Sequence, residues 1–551
     1  MIRAARNLLL VFALAAPHLN AQVMPRTTPE RTSYAATSTS AEVGAFLDSL
    51  QLAGAPIAVS AMGTTTFGKP IYLVIASDPA VTSPAEAAAS RKLVVYLQAN
   101  IHAGEVEGKE AVLVLLRELA GPRRELLQQL VVLVAPDYNP DGNDAMGPAA
   151  LNRGDQNGPA LVGQRADGIN LDLNRDYFGA DAPETRASLA RVYLTWDPAL
   201  MVDLHTTDGT RHGYLLTYAP PLDPIGPAGP TQYVRDRMLP ALRRTLQDRY
   251  REPIFDYGNV DTPLAPESWD TYAPLGWYGV NYVGLRGRMA ILSEAYSHAD
   301  FRTRIQVSHD FLAEILTYAA AHADEIRRIE RDADVQTTRE GAGLAPRPSL
   351  AVAYRMASRG VEPVVLEVMG PGTDSVRGRP RLVATGEYRS VPLPINDRFV
   401  DSLSRILPAG YLLPAGAADV VALLRLHGVQ VQRLAADWSD TLETLATSQL
   451  TWAPREFQGH HLLSVVGTWG AGARTIPAGS YFVATAQPLG RLVFALLEPE
   501  GWGLARWGRF DRLLGSEFGT YSGLVYGSGP VREFPVRRAL HAPLVPMRVV
   551  P

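Results

Sequence analysis

Residues 97–105 read LQANIHAGE and set a histidine, His102, three positions ahead of a carboxylate, Glu105. An imidazole nitrogen and a carboxylate oxygen at that spacing can hold zinc. H-x-x-E recurs by chance, however, and the competing reading makes Glu105 a helix cap beside an ordinary polar histidine. A second fragment, DLHTT at 203–207, adds His205. Two histidines and one carboxylate leave the fourth position of tetrahedral zinc open, as a catalytic rather than a structural site requires. Such an ion acidifies water and polarises a carbonyl. A general base is still needed, and MAILSE at 289–294 ends an apolar run on Glu294, a carboxylate placed for that work. The alternative for Glu294 is a strand-end pair with an arginine. Two polar clusters remain. DYNPDG at 137–142 reads as a tight turn. NLDLNRDY at 170–177 gathers two amides, two carboxylates and an arginine, which are costly to bury unless something uses them. That cluster is either a solvated loop or a recognition element, because an arginine beside an amide suits a planar carboxylate.

The surrounding pattern tells how these groups are positioned. Strand-like runs occupy 56–62, 71–76, 93–98, 130–135 and 199–204, and helical patterns fall at 107–119, 124–129 and 184–194. This alternation predicts an α/β fold with a largely parallel sheet and helices on both faces. In such a sheet, ligands bind at the carboxyl ends of the strands, where His102, His205 and Glu294 would all lie. A long amphipathic stretch, 301–334, reads as the closing helix, and GAGLAPRP at 341–348 has linker composition. Beyond it, runs at 364–368, 462–466, 480–486 and 491–497 read as strands among Gly/Pro turns, with 417–424 a short helix. The predicted organisation is therefore a signal peptide at 1–21, a Thr/Ser/Pro-rich linker at 22–40, a catalytic domain at 41–335, a linker at 336–348 and a smaller β-rich accessory domain at 349–551. His460 and His461 have no further ligands clustered around them in the sequence and read as loop histidines.

Composition narrows the function. The chain has 551 residues, a net charge of −4 and no cysteine. The charge lacks the basic field of a nucleic-acid-binding protein. The absence of cysteine removes disulfides, thiolate zinc sites and a thiol nucleophile. At the N-terminus, Arg3 and Arg6 precede an apolar run at 8–16, with the small residue Ala21 at a plausible cleavage point. That is the pattern of a secretory signal, far short of the ~20 residues a bilayer span needs. It predicts a secreted or periplasmic protein with no transmembrane segment after processing; the competing reading is a retained anchor.

In this order along the chain, HAGE, NPDG, DLNR, DLHT and a late strand ending in Glu294 resemble the zinc carboxypeptidase family. The resemblance covers residues 41–335. It implies an α/β fold with a mixed central sheet flanked by helices, one Zn²⁺ held by His102, Glu105 and His205, and removal of C-terminal residues from peptides by water that the metal activates. It further implies that Glu294 shuttles the proton to the leaving amine, and that Asn174 and Arg175 grip the free C-terminal carboxylate of a peptide substrate. Asp172 matches the carboxylate that orients the first zinc histidine. Arg153 falls where the family places the arginine that stabilises the oxyanion, with Arg165 as the alternative. The family's mobile tyrosine matches Tyr272, Tyr278 or Tyr282. The segment GWYGVNYVGLRGR at 276–288 departs from the family pattern, so Arg286 and Arg288 either face an acidic substrate group or flank a strand in solvent. Two rival functions share the motifs: a zinc amidase or deacylase acting on cell-wall peptides or N-acyl amino acids, and a non-catalytic binding protein on the same scaffold. The region after 345 could itself bind wall, sugar or protein.

Overall fold

A computed structural model describes residues 24–154, 156–373, 380–514 and 532–550. The signal sequence expected at 1–21 lies outside these residues. The catalytic part is built on an eight-stranded sheet. In chain order its strands are β1 (Ile57–Thr64), β2 (Pro70–Ala76), β3 (Leu93–Ala99), β4 (Leu130–Ala135), β5 (Leu200–Thr206), β6 (Leu216–Ala219), β7 (Ile254–Asp256) and β8 (Met289–Ala295). Their spatial order is β1-β2-β4-β3-β5-β8-β6-β7. The pairs β4–β3, β3–β5 and β5–β8 are parallel, while β1–β2, β2–β4 and β8–β6 are antiparallel. The sheet is mixed, as the family resemblance implies. Strands β4 and β5 are buried at every residue, which explains their unbroken apolar sequences: helices cover both faces. Among these helices are α1 (Ser40–Leu52), α2 (Glu107–Leu119), α3 (Phe301–Ala321) and α4 (Ala323–Gly341).

The closing helix predicted at 301–334 is two helices, broken at His322, whose backbone leaves helical geometry. No helix among the described residues is long and apolar enough to cross a membrane.

The 22–40 linker is a further correction where it is described. Residues 28–31 form a helical turn, and Thr37 and Ser38 are buried. Both hydroxyls and the Ser38 backbone N–H donate to the buried Glu110 carboxylate at 2.7–2.9 Å, and Lys109 donates to the Ser38 carbonyl at 2.6 Å. Short polar side chains look like linker composition, but here they satisfy charges on α2 that would otherwise be buried without partners.

The C-terminal region is β-rich, as expected, with sheets of its own that pack against the catalytic part. A hairpin pairs Val361–Thr373 with Pro380–Asn396, and the second arm also pairs with Trp269–Asp270 of the catalytic part. A seven-stranded sheet follows, running from Leu463–Ile476 at one edge to Met547–Val549 at the other. One apolar cluster joins Leu173, Trp277 and Tyr282 to Leu350, Val420, Phe494 and Trp507. The run at 491–497, expected to be a strand, is the helix Gly490–Leu497, buried at every residue. Apart from Arg491 the stretch is an unbroken apolar run, which lacks the periodicity that tells helix from strand.

Candidate metal and substrate site

Three parallel strands end at one edge of the sheet. β3 runs out into Asn100, Ile101 and His102; β5 carries His205 one residue before its end; β8 carries Glu294 directly opposite His205 in register. The turn after β3 needs its glycine, since a Cβ on Gly104 would lie 2.7 Å from the Arg153 side chain and 2.9 Å from the Gly163 carbonyl oxygen. Asn139, from the NPDG turn, caps the short helix Pro140–Asp144 and donates to the Ile101 carbonyl oxygen at 3.3 Å. It thereby props the histidine loop.

His102, Glu105 and His205 are buried and converge, their ligand atoms all within 4.8 Å of one another. His102 Nδ1 lies 3.0 Å from Glu105 Oε1, His205 Nδ1 lies 2.9 Å from Glu105 Oε2, and the two Nδ1 atoms are 3.2 Å apart. The outer nitrogens are held from behind. His102 Nε2 meets Asp172 Oδ1 at 2.9 Å, and His205 Nε2 lies 3.1 Å from Asp203 Oδ2. The Asp172 carboxylate behind His102 favours the proton on Nε2 and leaves the Nδ1 lone pair facing inward, and Asp203 sets a negative charge beside the outer nitrogen of His205. Burial opposes charge on His205, yet Asp203 and Glu105 raise its pKa well above the usual range. The site thus favours positive charge at the point where the three donors meet. Two imidazoles and one carboxylate with an open side fit a single catalytic zinc. No other grouping of this kind occurs among the described residues.

The triad opens into a cavity of about 110 Å³ whose wall includes Arg165, Asn174, Arg175, Asp208, Tyr257, Tyr272, Tyr278, Val280, Leu292 and Glu294. Burial, together with the Glu105 and Asp208 carboxylates, pushes Glu294 up to about 8 against the pull of His205. Asn174 and Arg175 sit in the short turn Leu173–Arg175, which begins when Asp172 Oδ1 accepts from the Asn174 backbone N–H. Asn174 Oδ1 accepts from the Gly279 N–H at 2.8 Å, and the Arg175 guanidinium lies over the Tyr278 ring at 4.6 Å. The eight residues expected to act together, His102, Glu105, Arg153, Asp172, Asn174, Arg175, His205 and Glu294, are all brought to one neighbourhood.

The arginines divide differently from expectation. Arg153 donates to Glu105 at 2.9 Å and to the Thr206 carbonyl oxygen at 3.1 Å, behind the triad. Arg165, more exposed, reaches the cavity while holding Asp172 at 2.9 Å. Of the tyrosine candidates, Tyr272 and Tyr278 line the cavity, whereas Tyr282 is buried elsewhere against His427 and Arg286. Arg286 and Arg288 face neither substrate nor solvent. Arg286 donates to the His427 and Tyr193 carbonyl oxygens, and Arg288 pairs with Asp197 and Asp334. His460, read as a loop histidine, pairs with Asp181 at 2.7 Å. Sequence reading missed two participants. Asp203 stood in the DLHT motif, two residues before His205 on the same face of β5, and that period of two was the available signal. Tyr257 follows β7 and carried no local signal.

Residues 44–207 match the zinc carboxypeptidase family model. Carboxypeptidase 2 of Trichophyton rubrum is 24% identical over 464 residues, covering 78% of this chain and 76% of that protein. The probable carboxypeptidase 2 of Trichophyton verrucosum is 25% identical over 462 residues, covering 78% of each. Among solved structures, a metallo-carboxypeptidase from Burkholderia cenocepacia is 16% identical, with a TM-score of 0.39 over 52% of this chain and 70% of that one. Carboxypeptidase A from Helicoverpa armigera is 17% identical, with a TM-score of 0.39 over 55% and 78%.

Proposed function

We propose that this chain, a zinc carboxypeptidase by fold and by metal triad, acts on peptides that present a free terminal carboxylate and an apolar or aromatic last residue. The observation that carries this reading is the shared cavity: the triad, Glu294, Asn174 and Arg175 all face one space. A zinc ion in the triad supplies an electrophile for the scissile carbonyl and makes water more acidic. Arg175 and Asn174 pair with the terminal carboxylate, and Tyr278 against the guanidinium fixes its plane. Glu294 takes the proton of the attacking water and delivers it to the departing amine. Arg165 donates to the carbonyl oxygen as charge builds there; its place on the cavity wall favours it over Arg153 for this role. Tyr257, Tyr272, Val280 and Leu292 give the remaining wall its apolar and aromatic character. Asp208, on the same wall, supports a second reading in which a basic last residue is preferred.

The test is a panel of peptides ending in Phe, Leu, Arg or Glu, each with a free and an amidated C-terminus, alongside muropeptides and N-acyl amino acids. The expected result is release of Phe and Leu from free peptides only. Equal cleavage of amidated peptides would remove Arg175 from its role, and activity confined to muropeptides or acyl amino acids would favour the amidase. Export is part of the same proposal, on the strength of Arg3, Arg6 and the apolar run after them. N-terminal sequencing of the mature protein, expected to begin near residue 22, checks it.

A further inference from the structure

The segment that carries Asn174 and Arg175 is held largely by residues hundreds of positions away. Asp172 at its head donates its backbone N–H to Gln458 Oε1 at 2.9 Å. Toward its far end, the Phe178 carbonyl oxygen lies 3.2 Å from His427 Nε2, and the Gly179 carbonyl oxygen accepts from Arg509 at 2.9 Å. Asp181 then pairs with both His460, at 2.7 Å, and Arg509, at 2.5 Å. Gly179 lies so close to Trp507 that a Cβ there would collide with the indole nitrogen. Gln458 itself adopts a left-handed backbone, φ 53°, between Phe457 and His460, whose backbones bridge each other. Phe457 packs tilted against Trp277 and edge-to-face with Trp507. The turn is therefore anchored on either side of Gln458, and its amide is delivered to one atom.

That atom matters because Asp172 serves both halves of the site. Its carboxylate orients His102 and holds Arg165, and it accepts the N–H that starts the turn bearing Asn174 and Arg175. We propose that Gln458 is a positioning residue for the active site: by accepting the Asp172 N–H, it sets the pose of the Asp172 loop and so completes, from the C-terminal region, the grip on the substrate carboxylate. This rests on the role given above to Asn174 and Arg175.

The experiment uses the full-length zinc-loaded protein and three forms: wild type, Gln458→Met, which keeps the length but loses the acceptor, and Gln458→Glu, which keeps an acceptor oxygen. A net hydrogen bond of about 1 kcal/mol corresponds to roughly fivefold. For a peptide with a free C-terminus, KM is expected to rise roughly three- to tenfold in Gln458→Met with kcat changed much less. Gln458→Glu should recover most of that loss, and the unfolding midpoints of the three should stay close. A second readout needs no turnover: metal loss to a chromogenic chelator should be faster in Gln458→Met than in wild type. Wild-type KM and wild-type metal release in Gln458→Met would overturn the proposal. So would equal losses in the Met and Glu variants, which would mark Gln458 as merely filling space. If wild type cleaves no peptide at all, the substrate reading fails instead, and metal release still decides the role of Gln458.

Discussion

The metal triad and the loop that carries Asn174 and Arg175 lie side by side yet are stabilised in different ways. The triad grows from the ends of β3 and β5, strands bonded to each other in parallel register and buried along almost their whole length. Two of its supports, Asp203 and the Gln98 amide that holds Asp203 at 3.0 Å, come from the same two strands, while Asp172, behind His102, belongs to the neighbouring loop. The loop at 172–181 has no ladder of its own. It is pinned by Gln458, His427, His460, Trp507 and Arg509, all from the C-terminal region. The metal triad is thus set mainly on a rigid sheet, while the loop bearing Asn174 and Arg175 depends on a long-range interface. Damage to one should leave the other measurable.

The largest expected effect is that of Glu294→Gln, which removes the base but no ligand. Turnover should fall roughly 10²–10⁴-fold with zinc content unchanged by metal analysis; full activity in this variant would eliminate Glu294 from the mechanism. On the sheet side, His205→Ala should lose both zinc and activity, and Asp203→Asn should weaken metal affinity roughly 10- to 100-fold, read by competition with a chelator. Normal zinc content in His205→Ala would break the ligand assignment. On the interface side, Gly179→Ala forces Trp507 away. It should cost about 1–3 kcal/mol of stability and raise KM while metal content holds. Loss of zinc there instead would show that the two regions are not separable. The smallest effect belongs to Tyr282→Phe. It removes the hydroxyl that meets His427 and Arg286, and it should cost about 1 kcal/mol of stability with kcat unchanged. A large fall in kcat would return Tyr282 to the active site.

Much of the site was legible from local pattern. His102, His205 and Glu294 each end or follow an apolar run, and chains of that kind become buried parallel strands with their carboxyl ends aligned. Helix α2 was read to its observed ends, Glu107 and Leu119, because its apolar positions follow the helical period. The reading failed where period or polarity was ambiguous. The helix Gly490–Leu497 is buried all round and apolar but for Arg491, and the Thr/Ser-rich segment around Ser38 hides a hydrogen-bonding role behind linker composition.

By itself the sequence pointed to the metal triad and to an α/β sheet that carries it, since those depend on residue type and on periodicities within single elements; that the sheet is mixed came from the family resemblance. Tertiary structure alone decided which tyrosines and which arginine face the cavity, that Asp203 stands behind His205, and that residues of the C-terminal region hold the loop at 172–181. Contacts such as Gln458 with Asp172 join residues 286 positions apart. No local preference encodes such a pairing; it exists only once the apolar cluster shared by both regions has formed.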